Sequence, residues 1–233
     1  MDGVPAASVH LHWVPLGAGD NTHCVRTNGR IFEWMQATFE RRSRCDLYHS
    51  ALAVRIDDVE FAIEMGPAWG NRVSERGVVG EGPVGMPSFG RWRFFRYEVR
   101  CCRAGVIPDA TDAVGGPVQL DTDQQRARVL VDLVPRFPTV TWGRDELRTG
   151  DMWNSNTLTS WLLAGSGHDV GAVMMPPHGR APGWSAGLKA ASQLATPTVN
   201  EPARKRPSEG DRDGGEEVDR HGHQVLNDSG DGA

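Results

Sequence analysis

Lysine is nearly missing. Lys189 and Lys205 are the only two in 233 residues, so arginine carries almost all the positive charge. With plentiful Gly, Ala and Val, this is the composition a GC-rich genome produces. Cysteine is scarce as well: Cys24, Cys45, Cys101 and Cys102 are the full set, and none forms a C-x-x-C pair. Neighbours such as Cys101 and Cys102 point to opposite faces of a strand. The pattern argues against a disulfide or zinc framework and for free thiols in a reducing compartment. No apolar run reaches the roughly 18 residues of a membrane helix. The opening Met1-Asp2-Gly3-Val4-Pro5 lacks a charged stretch followed by an apolar one, so no secretory signal is read and the cytoplasm is the expected location. A large charge of either sign is absent from most of the chain. The net charge is −5, and residues 201–233 hold nine acids against five bases. The first 200 residues are therefore almost neutral, which gives no global electrostatic case for nucleic acid.

Mean hydropathy is −0.44, as expected for a water-soluble globular chain with a polar excess. That excess collects at the end. After Lys189 the sequence turns to Ala, Ser, Thr, Pro, Glu, Asp, Gly and Arg, with few large apolar residues to offset chain entropy. One domain over residues 1–188 and a disordered acidic tail over 189–233 follow. Ser8–Pro15 reads as a strand and Ile31–Arg42 as a helix. Tyr48–Ile56 and Val59–Met65 flank the short polar turn Asp57-Asp58 and read as a hairpin. Gly66–Gly90 reads as loop and Trp92–Cys102 as a strand. Thr122–Leu133 reads as a helix with Thr122 as its N-cap and Gln125 at the capping-box position. Thr149–Ala164 reads as a second helix stopped by Gly165, and Val170–Trp184 as loop. Helices and antiparallel strands come in separate runs, so the fold class is α+β.

Two segments carry chemistry. A two-residue turn at Asp57-Asp58 puts Glu64 opposite Ala51 and makes His49 and Glu64 diagonal neighbours on one face. The other face, with Leu52, Val54, Phe61 and Ile63, is the better core face. A histidine beside a carboxylate among small residues suits an oriented base; a structurally hydrogen-bonded histidine fits the same spacing. The second segment is Asp151-Met152-Trp153-Asn154-Ser155-Asn156-Thr157-Leu158. Polar residues directly before an amphipathic helix are ordinarily an N-cap. Free backbone N–H groups there also stabilise an oxyanion, so nucleophiles are placed at such starts.

Taken together, the two segments resemble the circularly permuted papain-like thiol hydrolases, including the desumoylating isopeptidases and, more distantly, the lecithin–retinol acyltransferase relatives. In that group an aromatic-His-small strand, here Tyr48-His49-Ser50-Ala51, precedes a Glu-aromatic strand, here Val59-Glu60-Phe61. A later Asn-Cys-Asn motif opens the helix that supplies the nucleophile, and Asn154-Ser155-Asn156 stands here in the same order. The likeness covers these motifs and the sheet between them, well under half of the chain. It implies a papain-like antiparallel sheet packed against helices, His49 as base, Glu64 as its orienter, and Asn154 or Asn156 as a donor. Ser155 stands where the family has its cysteine. A hydroxyl ionises far less readily than a thiol, so this exchange demands a real general base. The implied ligand is a peptide, lipid or small molecule with an amide, ester or thioester. A silent binding protein of the same fold is the alternative, and no cofactor is implied.

Other patterns are weaker. Gly80-Glu81-Gly82-Pro83-Val84-Gly85 matches G-x-G-x-x-G, but Pro83 and the following Met86-Pro87 give no helix to hold a phosphate. His10 and His12 share a strand face, yet His23 offers no fixed spacing for a third zinc ligand. Arg91, Arg93, Arg96, Arg100 and Arg103 interleave with Trp92, Phe94, Phe95 and Tyr97, a composition that RNA binders use. On a strand those arginines split between two faces, so ion pairing is their expected use. Trp153 and Trp161 flank the candidate site helix, with core packing as their ordinary role.

Overall fold

The computed structural model describes residues 5–18, 37–38, 41, 43–68, 77–107 and 110–195. Alternating and apolar runs give seven strands: β1 (Ala7–Pro15), β2 (Asp46–Ile56), β3 (Val59–Pro67), β4 (Val78–Pro83), β5 (Arg96–Arg103), β6 (Val118–Asp121) and β7 (Gly179–Arg180). Six lie in the order β4-β5-β3-β2-β1-β6, every neighbour antiparallel, and β7 pairs in parallel with the start of β2. From residue 110 onward the described residues hold three α-helices: α1 (Gln124–Leu133), α2 (Ser155–Gly165) and α3 (Trp184–Ala195). The fold is α+β, an antiparallel sheet packed on one face by helices.

The hairpin has the register read from its turn, with Ile56 opposite Val59 and Leu52 opposite Ile63. Asp57 takes a left-handed φ of 53°, which Asp tolerates better than most residues. Its carboxylate accepts from Gln124 Nε2 and Arg128 Nη2, at 2.6 and 2.9 Å, and pins the turn to α1. Period-two alternation gives the sheet two unlike faces. Val9, Leu11, Trp13, Leu52, Val54, Ile63, Met65, Tyr97 and Val99 point to the helices and form the main core. His10, His12, Ala51, Ala53, Ala62, Glu64, Glu98 and Arg100 share the other face, where Ala51, Ala62 and Ile107 make a small second cluster.

Helix α2 is the centre of the core. Every residue from Ser155 to Leu163 is buried, as befits a helix enclosed on all sides. The sheet covers one side and α3 another. Three of its buried polar side chains, Asn156, Thr157 and Ser160, are bonded inside the protein; Ser160 Oγ donates to Trp184 O at 2.8 Å. Phe137 stacks on Trp153 at 4.9 Å and meets Trp161 edge-on at 5.5 Å, so both tryptophans belong to the core.

Several boundaries differ from the sequence reading. Asp123, not Thr122, caps α1, accepting from Arg126 N at 2.9 Å. Helix α2 starts at Ser155 because the Asn154 side chain takes the first free N–H groups, leaving 149–153 as loop. β4 arises inside the expected Gly-rich loop, where β5 offers it a partner. Trp92–Phe95 is not strand: Trp92 links two 3-10 turns, Pro87–Arg91 and Arg93–Phe95. Helix α3 runs past the expected boundary at 188: Ala186, Ala190 and Ala191 are small enough to bury against α2. Of the helix expected at Ile31–Arg42, only Ala37, Thr38 and Arg41 are described, the first two helical. The tail beyond Ala195 lies outside the described residues.

Gly187 sets how closely the two helices approach. A Cβ there would run into Ser160 Oγ and the Thr157 carbonyl. Gly187→Ala is expected to lower unfolding free energy by about 1–3 kcal/mol in urea titrations, the ordinary cost of overpacking.

Candidate functional site

The two motifs singled out in the sequence meet in space. Asn154 is the N-cap of α2, and its Oδ1 accepts from Asn156 N at 2.9 Å and Thr157 N at 3.3 Å. Thr157 Oγ1 returns the favour by accepting from Asn154 N at 3.1 Å, which completes a capping box. Asn154 Nδ2 donates to Pro182 O at 2.8 Å. Gly183, at φ 87°, sits against the Asn154 side chain, where a Cβ would collide. Asp151 binds the same turn through Gly183 N at 2.8 Å and Ser185 Oγ at 2.9 Å. The start of α3 is thereby fastened to the start of α2.

Asn156 makes the link to the histidine strand. Its Oδ1 accepts from Ser50 Oγ at 2.9 Å, and its Nδ2 donates to Tyr48 O and Pro182 O, both at 2.9 Å. Tyr48 and Ser50 are the two neighbours of His49, so the helix start is tied to β2 on both sides of that residue. The reason lies in the sheet. β3 pairs with β2 only from Leu52 onward, and β7 only at Asp46 and Leu47. The edge of β2 between them is open, and the Asn156 amide fills it.

Ser155 occupies the first helical position and is 5 % exposed. Neither its hydroxyl nor its N–H makes a hydrogen bond among the described residues, so a free donor and a free hydroxyl stand together at the positive end of α2. His49 is half-buried, and Ser50 beside it points to the helix, so the imidazole leaves the strand on the side of Val14. It makes no hydrogen bond among the described residues, to Ser155 or to any other group. Desolvation pushes its pKa down to about 4, which keeps the ring neutral at pH 7.

Glu64 is held elsewhere. Arg100 lies directly opposite it on β5 and donates through Nη1 at 2.9 Å. The same guanidinium bonds the buried Glu98 and Pro67 O, each at 2.9 Å. The expected His49–Glu64 contact is not formed, because the strands separate before Ala51 and Glu64 can pair. Asn154 and Asn156 are positioning groups, with the Asn156 amide hydrogens both taken up inside the protein. The open donor at the site is the Ser155 N–H.

A second serine–histidine pair escaped sequence reasoning. His168 Nδ1 lies 2.8 Å from Ser166 Oγ, with Asp121 Oδ2 3.9 Å from His168 Nε2. Ser166 gives its proton to Leu162 O at 2.6 Å, so its hydroxyl accepts from the histidine. That arrangement closes the C-terminal end of α2 and holds no available nucleophile. Its residues, spread over 121–168, left no motif in the sequence. His12 Nδ1 is buried without a partner, but no group of three His, Cys, Asp or Glu side chains among the described residues is placed to hold a metal; His23 lies outside them. Two open clefts of about 310 and 380 Å³ flank the β2–β3 turn, and neither includes a residue of this site.

Burial of neutral histidine makes stability fall in acid. The unfolded chain binds a proton at His49 near pH 6.5, while the folded one does so only near pH 4. Stability from this group is present above pH 6.5 and is lost between those values. His10 and His12, lowered by desolvation in the same sense, add to the slope. Denaturant titrations should show His49 costing about 1–2 kcal/mol between pH 7 and pH 5, and His49→Gln should recover most of that difference. Asn156→Ala should cost about 2–3 kcal/mol at pH 7, since the buried Ser50 and Tyr48 and the partly buried Pro182 lose their bond. Set against protein-family models, curated proteins and solved structures, the chain finds no match in any of the three.

Proposed function

We propose that the chain is a hydrolase- or acyltransferase-type protein of permuted papain-like architecture. It acts on an amide, ester or thioester, with Ser155 as nucleophile and His49 as general base. The observation that supports this is the Asn156 clamp, which fastens the start of α2 to both neighbours of His49. The likeness in motif order brings the same two segments together.

In this reading a His49 ring nitrogen takes the Ser155 proton as Oγ bonds to the carbonyl carbon. The carbonyl oxygen becomes an oxyanion beside the Ser155 N–H and the end of α2. The imidazolium then gives its proton to the leaving amine, alcohol or thiol as that bond breaks. Water or a second acceptor removes the acyl group from Ser155. A neutral His49 is in the protonation state this needs, and its low basicity makes the step slow. Glu64, held by Arg100, takes no part. A second reading, a binding protein of the same fold without turnover, is favoured by the lack of a His49–Ser155 hydrogen bond among the described residues.

A fluorophosphonate probe separates the two. Mass spectrometry should place the adduct on Ser155, and Ser155→Ala should abolish it. His49→Ala should slow labelling by about 100-fold or more, the lower range for a general base. The rate should rise through about pH 4 and stay flat above it, following His49. No adduct on the folded protein, or labelling indifferent to His49→Ala, supports the binding reading.

A further inference from the structure

The 3-10 segment between β4 and β5 breaks the rule that large apolar side chains are covered. Met86, Trp92, Phe94 and Phe95 are all exposed within ten residues, Phe94 at 62 % and Trp92 at 46 %. The stretch 82–97 contains no Asp or Glu and three arginines. Arg91 makes no ion pair among the described residues; its guanidinium lies 4.3 Å from the centre of the Trp92 ring. Arg144, also exposed, donates to Gly85 O at 2.7 Å and adds a second unpaired cation at the base of the segment. Arg93 and Arg96 pair with Glu98 and Glu81. Folding the segment into 3-10 turns, instead of a strand, gathers the aromatic rings into one knuckle with cations around it.

We propose that Met86–Arg96 is a peripheral docking surface for an anionic lipid membrane. Exposed tryptophan and phenylalanine flanked by arginine match the interface of a bilayer, where rings enter the acyl boundary and guanidinium groups meet phosphate. Charge complementarity commits the occupant to an anionic surface, since the segment presents cations only. The ring geometry favours lipid over single-stranded nucleic acid. Base stacking needs open, parallel ring faces. Here Phe89, Trp92 and Phe95 pack on one another at interplanar angles of 43–60°, and Arg91 covers the Trp92 face. Faces engaged in this way leave no row of free rings on which successive bases could stack.

The surface is joined to the candidate site. Gly85 N donates to Trp142 O at 3.0 Å, and Gly143 N to Trp153 O at 2.8 Å, two residues before Ser155. The proposal stands without any role for Ser155 as nucleophile.

Flotation of the full chain with phosphatidylcholine vesicles, with and without phosphatidylserine, tests it. The protein should partition onto the phosphatidylserine vesicles and leave them as salt rises. Arg91→Gln with Arg144→Gln should lower partition about 25-fold, about fivefold per cation. Trp92→Ala with Phe94→Ser should lower it at least about tenfold. Thermal melting should be unchanged in the arginine pair, since neither guanidinium is buried. Ser155→Ala should bind as the unaltered chain does, so failure of the catalytic reading leaves this result standing. No flotation at low salt, or flotation indifferent to both double variants, overturns the proposal. So does poly(U) retention, or self-association, that the variants abolish while vesicles are ignored.

Discussion

The Asn156 amide is the interaction on which the arrangement depends. Its oxygen and both its hydrogens are engaged, by Ser50, Tyr48 and Pro182, in a place closed to water. The partners come from two distant parts of the chain: Tyr48 and Ser50 from the histidine strand, and Pro182 from the turn that leads into α3. A buried amide with unmet hydrogen bonds is costly, so few other placements of these segments satisfy it. The Asn154–Thr157 capping box holds the helix end in the orientation that the clamp requires. Remove the clamp and α2 would still be apolar enough to pack, but nothing would fix where its first turn lies against β2.

That clamp exists because the sheet is incomplete at one point. β2 has β1 on one edge from Tyr48 to Ile56, but on the other edge β3 covers only the half nearest the turn. Backbone groups left open in a protein interior must be met by something. Here a side chain at a helix start meets one of them, and the result is a seam between the apolar face and the polar face of the sheet. His49 and Ser155 flank this seam. The polar face, with its neutral histidines and the Arg100–Glu64–Glu98 group, is stable because its charges are paired and its histidines stay unprotonated.

A serine at the first turn of α2 has different needs from a cysteine. A thiol gains from the helix end directly, because the end stabilises the thiolate. A hydroxyl does not ionise there, so the helix end helps only once a base has taken the proton and charge has moved to an oxyanion. The helix start supplies an unbonded N–H, while the neutral imidazole of His49 stands on the neighbouring strand β2 with no hydrogen bond to the serine. The surroundings supply no carboxylate to steady that imidazole, since Arg100 has claimed Glu64. The chemistry proposed is thus limited by the base, and any substrate acting here must be held long enough for a slow proton transfer.

The hairpin was legible because a two-residue turn fixes register by itself: naming Asp57-Asp58 was enough to pair Leu52 with Ile63 and to separate the apolar face from the polar one. The helix start at Ser155 was legible in kind, since Asn and Thr around a first turn are capping residues, though its first residue was misplaced by six. The α+β class followed from the separate runs of strand and helix. Local patterns settle such matters because neighbours in sequence supply the forces. Other features needed the fold. β4 forms only because β5 lies beside it. The 3-10 knuckle replaces an expected strand because β5 pairs from Arg96 onward. Glu64 belongs to Arg100 because β5, not β2, lies opposite it. The meeting of Asn156 with Tyr48 and Ser50 joins residues more than 100 positions apart. Such long-range bonds depend on where whole elements end and diverge, and the strength of a hydrogen bond or an ion pair is decided only when its partner arrives.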